Sequence, residues 1–183
     1  MKNFTSKCLA IGKIEEFPEF SSKRLYMMDA TKNLDNYDTF TNKIFEALLK
    51  RFKNLVYSGC YITIDEKMLK KGELHRRGGI HVDGNWSGDC YAHDTDGYTP
   101  EIILFCSNIT GAVGYEGNYK ANINIEGGAS EVDFEQLKEF TMEPNVIYVT
   151  NPVFLHKTIP VSDDCKRQFV RINIVHPFNA KEQ

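Results

Sequence analysis

His81-Val82-Asp83 lies inside a short alternating run, Gly79-Ile-His-Val-Asp83, and a second histidine, His156, follows 73 residues after Asp83. Residues two apart on a β-strand project from the same face, so the His81 imidazole and the Asp83 carboxylate can converge on one point. Ile80 and Val82 then point the other way, toward a helix-covered side. Two imidazoles and one carboxylate form the facial ligand set that holds non-haem Fe(II) and leaves coordination positions open for reactants. Taken alone, the three residues also fit a plainer alternative, a pair of hydrogen-bonded strand histidines beside a chance HxD triplet.

Beyond His156 the chain reads Lys-Thr158-Ile-Pro-Val-Ser-Asp-Asp-Cys-Lys-Arg167-Gln-Phe-Val-Arg171-Ile-Asn173. Arg167, Phe169, Arg171 and Asn173 alternate with Gln168, Val170, Ile172 and Ile174. On a strand this puts two guanidinium groups and an amide on one face and three aliphatic side chains on the other. With the aliphatic face packed on a helix, the arginines point into a cavity, where burial demands anionic partners. The planar guanidinium fork suits a carboxylate. The alternative is an edge strand whose arginines sit in water, paired with Asp163 or Glu143.

Something must hold these residues. Phe40, Ile44, Phe45, Leu48, Leu49, Phe52, Leu55 and Val56 recur at three- and four-residue spacing, which predicts one amphipathic helix with Asp38 as its N-cap. After Gly59 the period becomes two. Strands are expected at Tyr61–Asp65, Gly79–Asp83, Glu101–Ser107, Tyr119–Glu126, Val146–Thr150, Val153–His156 and Arg167–Val175, separated by Gly, Pro, Asn and Asp clusters. Ser130, Asp133, Phe134, Leu137 and Phe140 suggest one short helix among them. The mixed segment from Met1 to Asn36 carries no clear period. A helix followed by many short strands predicts a mainly β fold, a sandwich or jelly roll with the N-terminal helix supporting one sheet.

Composition narrows the function classes. With 183 residues and no repeat or linker, residues 1–183 are expected to form a single domain. Five scattered cysteines without a CxxC pair, and no secretory apolar segment, suggest reduced thiols in a cytoplasmic protein. No apolar run is long enough to span a membrane. A net charge of -3 argues against a dedicated nucleic-acid binder.

The order Gly79-Ile-His81-Val-Asp83-Gly, then Glu143-Pro-Asn-Val-Ile-Tyr-Val-Thr-Asn-Pro-Val-Phe-Leu-His156-Lys-Thr-Ile-Pro-Val161, then Arg167, resembles the Fe(II)- and 2-oxoglutarate-dependent dioxygenase superfamily. Pro160-Val161 is similar to the prolyl hydroxylase branch. Arginines eleven and fifteen residues past His156 are similar to the taurine dioxygenase branch. The resemblance covers Gly79 to Ile174 and implies a double-stranded β-helix (jelly-roll) core. It implies that His81, Asp83 and His156 hold Fe(II) and that Arg167 binds the distal carboxylate of 2-oxoglutarate. Arg171 would contact the proximal carboxylate or an anionic group of the substrate, and Thr158 and Asn173 would make secondary contacts. Lys166, ten residues past His156, is the alternative cosubstrate ligand, although strand parity turns it away from Arg167. The implied reaction consumes O2 and 2-oxoglutarate, releases succinate and CO2, and oxidises a C–H bond, with ascorbate as a stimulant. Halogenating relatives have a small residue in place of the carboxylate, so Asp83 favours hydroxylation.

Two further features bear on substrate. Arg76 and Arg77, after Lys67, Lys70, Lys71 and His75, make a basic patch that can steer an anion or simply face solvent. Gly84–Pro100 is a long polar stretch whose Trp86 and Tyr91 suit either a lid over the substrate or anchors to the core. The expected substrate is a small molecule or an amino-acid or peptide side chain. A non-redox cupin-like module is a second possibility, although cupins carry HxH with a nearby Glu. Oxidative demethylation of nucleic acid is a third, supported only by the basic patch.

Overall fold

The computed structural model describes residues 1–30, 34–53, 55–57, 59–83, 101–175 and 178–179. Its strands are β1 (Lys2–Ser6), β2 (Cys8–Lys13), β3 (Arg24–Asp29), β4 (Leu55–Val56), β5 (Gly59–Leu69), β6 (Ile80–His81) and β7 (Glu101–Ser107). They continue as β8 (Ala112–Ile123), β9 (Ala129–Ser130), β10 (Leu137–Thr141), β11 (Val146–Thr150), β12 (Leu155–Thr158), β13 (Cys165–Val175) and β14 (Phe178–Asn179). A single α-helix among the described residues, α1 (Asp38–Arg51), follows a 3-10 turn at Asp35–Tyr37.

Two antiparallel sheets face each other. The first sheet runs β2-β11-β7-β13-β5-β3, and the second, also of six strands, runs β1-β8-β12-β6 with β9 and β10 also paired to β8. The long strands hold the first sheet in register, with Arg171 of β13 opposite Thr63 of β5 and Phe105 of β7. The sequence alternation decides which residues meet what. Val170, Ile172 and Ile174 pack with Ile62, Ile64, Ile102, Leu104, Ile147 and Val149 beneath Phe40, Ile44 and Leu48 of α1. Burying each such side chain contributes roughly 1.5–3 kcal/mol, so this layer fixes which face of β13 turns inward. Ile103, Phe105, Val146, Tyr148 and Phe169 occupy the opposite face and meet Phe154, Phe140 and Met142 between the sheets.

Several expectations are corrected. Three strands precede the helix, in the stretch that carried no clear period. The helix ends at Arg51, and Leu55–Val56 pairs instead with Phe178–Asn179. Tyr37, not Asp38, is the N-cap, and the Asp38 carboxylate accepts the Leu34 N–H at 2.9 Å, bracing the turn before the helix. Residues 130–140 form no helix: a turn links β9 to β10, and the Asp133 carboxylate accepts the Glu135 N–H. The three-residue spacing there was misleading, because Leu137 and Phe140 point to opposite sides of β10. Ile80 and Val82 face away from the helix layer and pack with Val113, Tyr115 and Leu155 on the second sheet. No helix is long and apolar enough to cross a membrane, and Cys8, Cys60, Cys106 and Cys165 are free thiols.

Candidate metal centre

Antiparallel pairing of β6 and β12 sets His81 directly opposite His156. Their rings lie 4.3 Å apart between centroids. Asp83 closes the group, with Oδ2 3.4 Å from His156 Nε2 and Oδ1 4.0 Å from His81 Nε2. One ligand atom from each residue lies within 4.8 Å of the others, close enough to share an ion. Each imidazole is oriented by its own strand. His81 Nδ1 donates to the Gly79 carbonyl at 2.9 Å, and His156 Nδ1 donates to the Phe154 carbonyl at 3.1 Å. Both rings therefore keep an Nε2 lone pair for the shared point, the arrangement common to metal-binding histidines.

Electrostatics disfavour protonation of His81 and Asp83. Burial, then the neighbouring His156, pushes the His81 imidazole down to about 4. Burial works to raise the Asp83 carboxyl, but His156, Arg171 and His81 outweigh it and hold Asp83 well below the usual carboxylate range. Two imidazoles and one carboxylate make a donor set suited to Fe(II) and similar divalent ions.

Two cavities meet at this group. The first is narrow and apolar-walled, lined by Phe105, Val146, Tyr148, Phe169, Met142 and Thr158 together with His81, Asp83, His156 and Arg167. Arg167 is buried, with its Nε donating to Ser107 Oγ at 3.2 Å and its Nη1 left without a partner. Ser107 Oγ in turn donates to the Gln168 carbonyl at 3.0 Å. Gly111 gives the guanidinium its place, since a Cβ there would sit 2.2 Å from Arg167 Cζ. A buried cation with an open donor has the chemistry to pair with a carboxylate.

The second cavity, about 430 Å³, is polar. Arg24, Tyr26, Asp65, His75, Arg76, Arg77, Glu126 and Arg171 line it, along with His81 and Asp83. Arg76, His81 and Asp83 border both spaces. Arg76 stacks over the Phe169 ring at 5.1 Å and reaches Asp65 at 3.4 Å, so half of the expected basic patch is built into the interior wall.

The remaining expected residues divide. Thr158 lines the narrow cavity. Arg171 points inward as its parity required, but it pairs with Asp83 Oδ2 at 3.1 Å. Asn173 lies on the same strand face, and its amide donates to Glu101 Oε1 at 2.6 Å, away from both cavities. Arg77 Nη2 lies 3.9 Å from Asp83 Oδ1 and donates to the Val82 carbonyl. Lys166 is exposed over the Phe20 ring, far from the role of cosubstrate ligand. Asp163 and Glu143 do not serve the arginines: Glu143 pairs with Lys13. Trp86 and Tyr91 lie outside the described residues. Sequence reasoning missed Ser107, Gly111 and Asp65, none of which carries a motif. The only available signal for Asp65 was its parity with Tyr61 and Thr63.

No protein-family model and no curated protein matches the chain. Among solved structures it is similar to a non-haem monooxygenase, the ThoJ nickel complex, with 14% identity, TM-score 0.40 and coverage of 72% of this chain and 49% of that one. It is similar to EvdO2 from Micromonospora carbonacea var. aurantiaca, complexed with 2-oxoglutarate, with 13% identity, TM-score 0.45 and coverage of 79% and 66%. For EvdMO1 the identity is 12% and the TM-score 0.44, with coverage of 91% and 38%. The chain thus spans about half the length of ThoJ and less than two thirds of each of the other two. These likenesses are distant.

Proposed function

We propose that the protein is a non-haem Fe(II)- and 2-oxoglutarate-dependent oxygenase that hydroxylates a C–H bond of a small molecule or of an amino-acid or peptide side chain. On this reading the facing sheets are a double-stranded β-helix forming one cytoplasmic domain over residues 1–183. The observation that carries the proposal is the narrow cavity with His81, Asp83 and His156 on one wall and the open Nη1 of buried Arg167 on another. When bound, iron with 2-oxoglutarate and O2 supplies the oxidising power, and succinate and CO2 leave.

The chain's own work is placement. His81 and His156 present Nε2 because their Nδ1 protons are committed to backbone carbonyls. Asp83 supplies the anionic ligand. Arg167, seated between Ser107 and Gly111, takes the distal carboxylate of the cosubstrate through a charge-assisted bond. Phe105, Val146 and Phe169 keep that cavity apolar, which excludes bulk water and strengthens the carboxylate contact. Retention of Asp83 favours hydroxylation over halogenation.

Succinate release from 2-oxoglutarate in the presence of Fe(II) and ascorbate tests the proposal. Wild type should show slow uncoupled turnover, reduced at least tenfold in His81→Ala and in Arg167→Ala. Turnover unaffected by either substitution contradicts it. Tight metal binding without 2-oxoglutarate binding would favour a non-redox module instead.

A further inference from the structure

His75 has no place yet in the account of the site. It lies in the connection from β5 to β6, its side chain has 0% exposure, and it borders the polar cavity. Its Nε2 sits 3.4 Å from Asp65 Oδ2, yet neither ring nitrogen has an aligned hydrogen-bond partner. Asp65 is opposite Phe169 in the β5–β13 ladder, between the positions that face Arg167 and Arg171. Asp65 Oδ1 and Arg167 Nη1 also lack hydrogen bonds, so unmet polar atoms gather behind the cosubstrate arginine. Leaving a buried imidazole unpaired is costly, and an apolar side chain of the same shape would avoid that cost. A plain space-filling role therefore does not explain a histidine at position 75.

The charges around it give a reason. Asp65 comes from β5, Arg24 from β3, Arg167 and Arg171 from β13, and Arg76 from the histidine's own loop, while Tyr26, Arg77, His81, Asp83 and Glu126 border the same cavity. Asp65 is shared, with Arg24 Nε at 3.3 Å and Arg76 Nη1 at 3.4 Å, and Asp83 is engaged by Arg171 at 3.1 Å. Positive charge thus dominates behind His75. Burial lowers its pKa from the ordinary 6.5; Asp65 works upward, and the Arg167 and Arg76 charges press it down again. A carboxylate seated on Arg167 Nη1 changes this balance. It offsets one of the charges that disfavour a proton on His75, and Asp65 already stands at ion-pair distance to receive the imidazolium.

We propose that His75, braced by Asp65, is a positioning residue for the cosubstrate site, taking up a proton as a carboxylate seats on Arg167 and thereby securing that ion pair. The inference rests on the reading of Arg167 as the cosubstrate ligand and adds the proton acceptor behind it. The direction of the pH dependence follows. The occupied site holds the proton to a higher pH than the empty site, so affinity is greatest below the empty-site pKa and falls as the pH rises through the occupied-site pKa. Arg76, stacked over Phe169 and bordering both cavities, ties the pair to the wall between them.

The test needs no turnover. The full chain, loaded with excess redox-silent Zn(II), is titrated with 2-oxoglutarate by calorimetry in two buffers of different ionisation enthalpy, for wild type and His75→Gln. Metal loading is verified at each pH. Wild type should take up protons on binding, and its affinity should rise about threefold or more from near pH 7.5 to near pH 6. His75→Gln should take up none and show a flat profile over that range. A second measurement needs no variant: the ring signals of His75, assigned through its backbone, should titrate below 6.5 before 2-oxoglutarate is added and at higher pH afterwards. Binding without proton uptake, equal uptake in His75→Gln, or an unmoved His75 titration overturns the inference and leaves the cosubstrate reading standing. Zn(II)-loaded wild type that does not bind 2-oxoglutarate sinks the cosubstrate reading, and the inference with it.

Discussion

His81 and His156 each give Nδ1 to a carbonyl two residues earlier in the chain, at 2.9 and 3.1 Å, and keep Nε2 for the cavity. That economy was legible in the sequence only in part. The HxD spacing and the inward parity of Arg167 and Arg171 follow from period two, but the ion pair between Arg171 and Asp83 depends on β6 lying beside β12, which no local pattern specifies. Glu66 is a sharper omission. It lies on the helix-facing side of β5, opposite Gln168, and accepts hydrogen bonds from Tyr37 Oη at 2.7 Å, Gln168 Nε2 at 2.9 Å and the Ser21 and Lys23 N–H groups at 2.7 Å. Burial works to raise its carboxyl, yet these bonds prevail and lower it from the ordinary value of 4.5. A carboxylate depressed by folding adds stability above its unfolded pKa and loses it as the pH falls through the folded value. Urea unfolding of wild type and Glu66→Gln should thus differ most at neutral pH and converge below about pH 4.5, as the linkage requires. A gap that stays constant with pH would show that charge on Glu66 contributes nothing.

At the scale of elements, the core-facing stripes were readable and their ends were not. The apolar spacing from Phe40 to Leu48 marks α1 correctly, but it runs on into Leu55, which remains beside the core as a strand residue. Both states bury the same side chain, so hydrophobic pattern alone cannot place the boundary. The strands before the helix were hidden for a related reason: β2 and β3 are only half-buried and carry register irregularities, which blur the alternation. The helix layer and the metal centre lie on opposite faces of one sheet. Leu48→Ala should therefore cost about 2–5 kcal/mol in unfolding free energy, while leaving divalent-metal affinity within twofold of wild type. A large loss of metal affinity at temperatures where the variant is folded would mean that the sheet does not insulate the site from its support.

At the scale of the molecule, the first sheet bears a packed helix on one face and the buried arginines on the other, and the second sheet brings both histidines across to meet them. Two cavities then border one ligand group from different directions, one apolar with Arg167 and one polar with Arg171. The most direct measurement is an anaerobic calorimetric titration of 2-oxoglutarate into the full chain, with and without Fe(II), for wild type, Arg167→Gln and Gly111→Ala. Wild type should bind strongly only when loaded. Both variants should keep Fe(II) but bind 2-oxoglutarate at least tenfold more weakly, a loss of about 1.4 kcal/mol or more. Binding that ignores the metal, or that is unchanged in both variants, would contradict the assignment of this site.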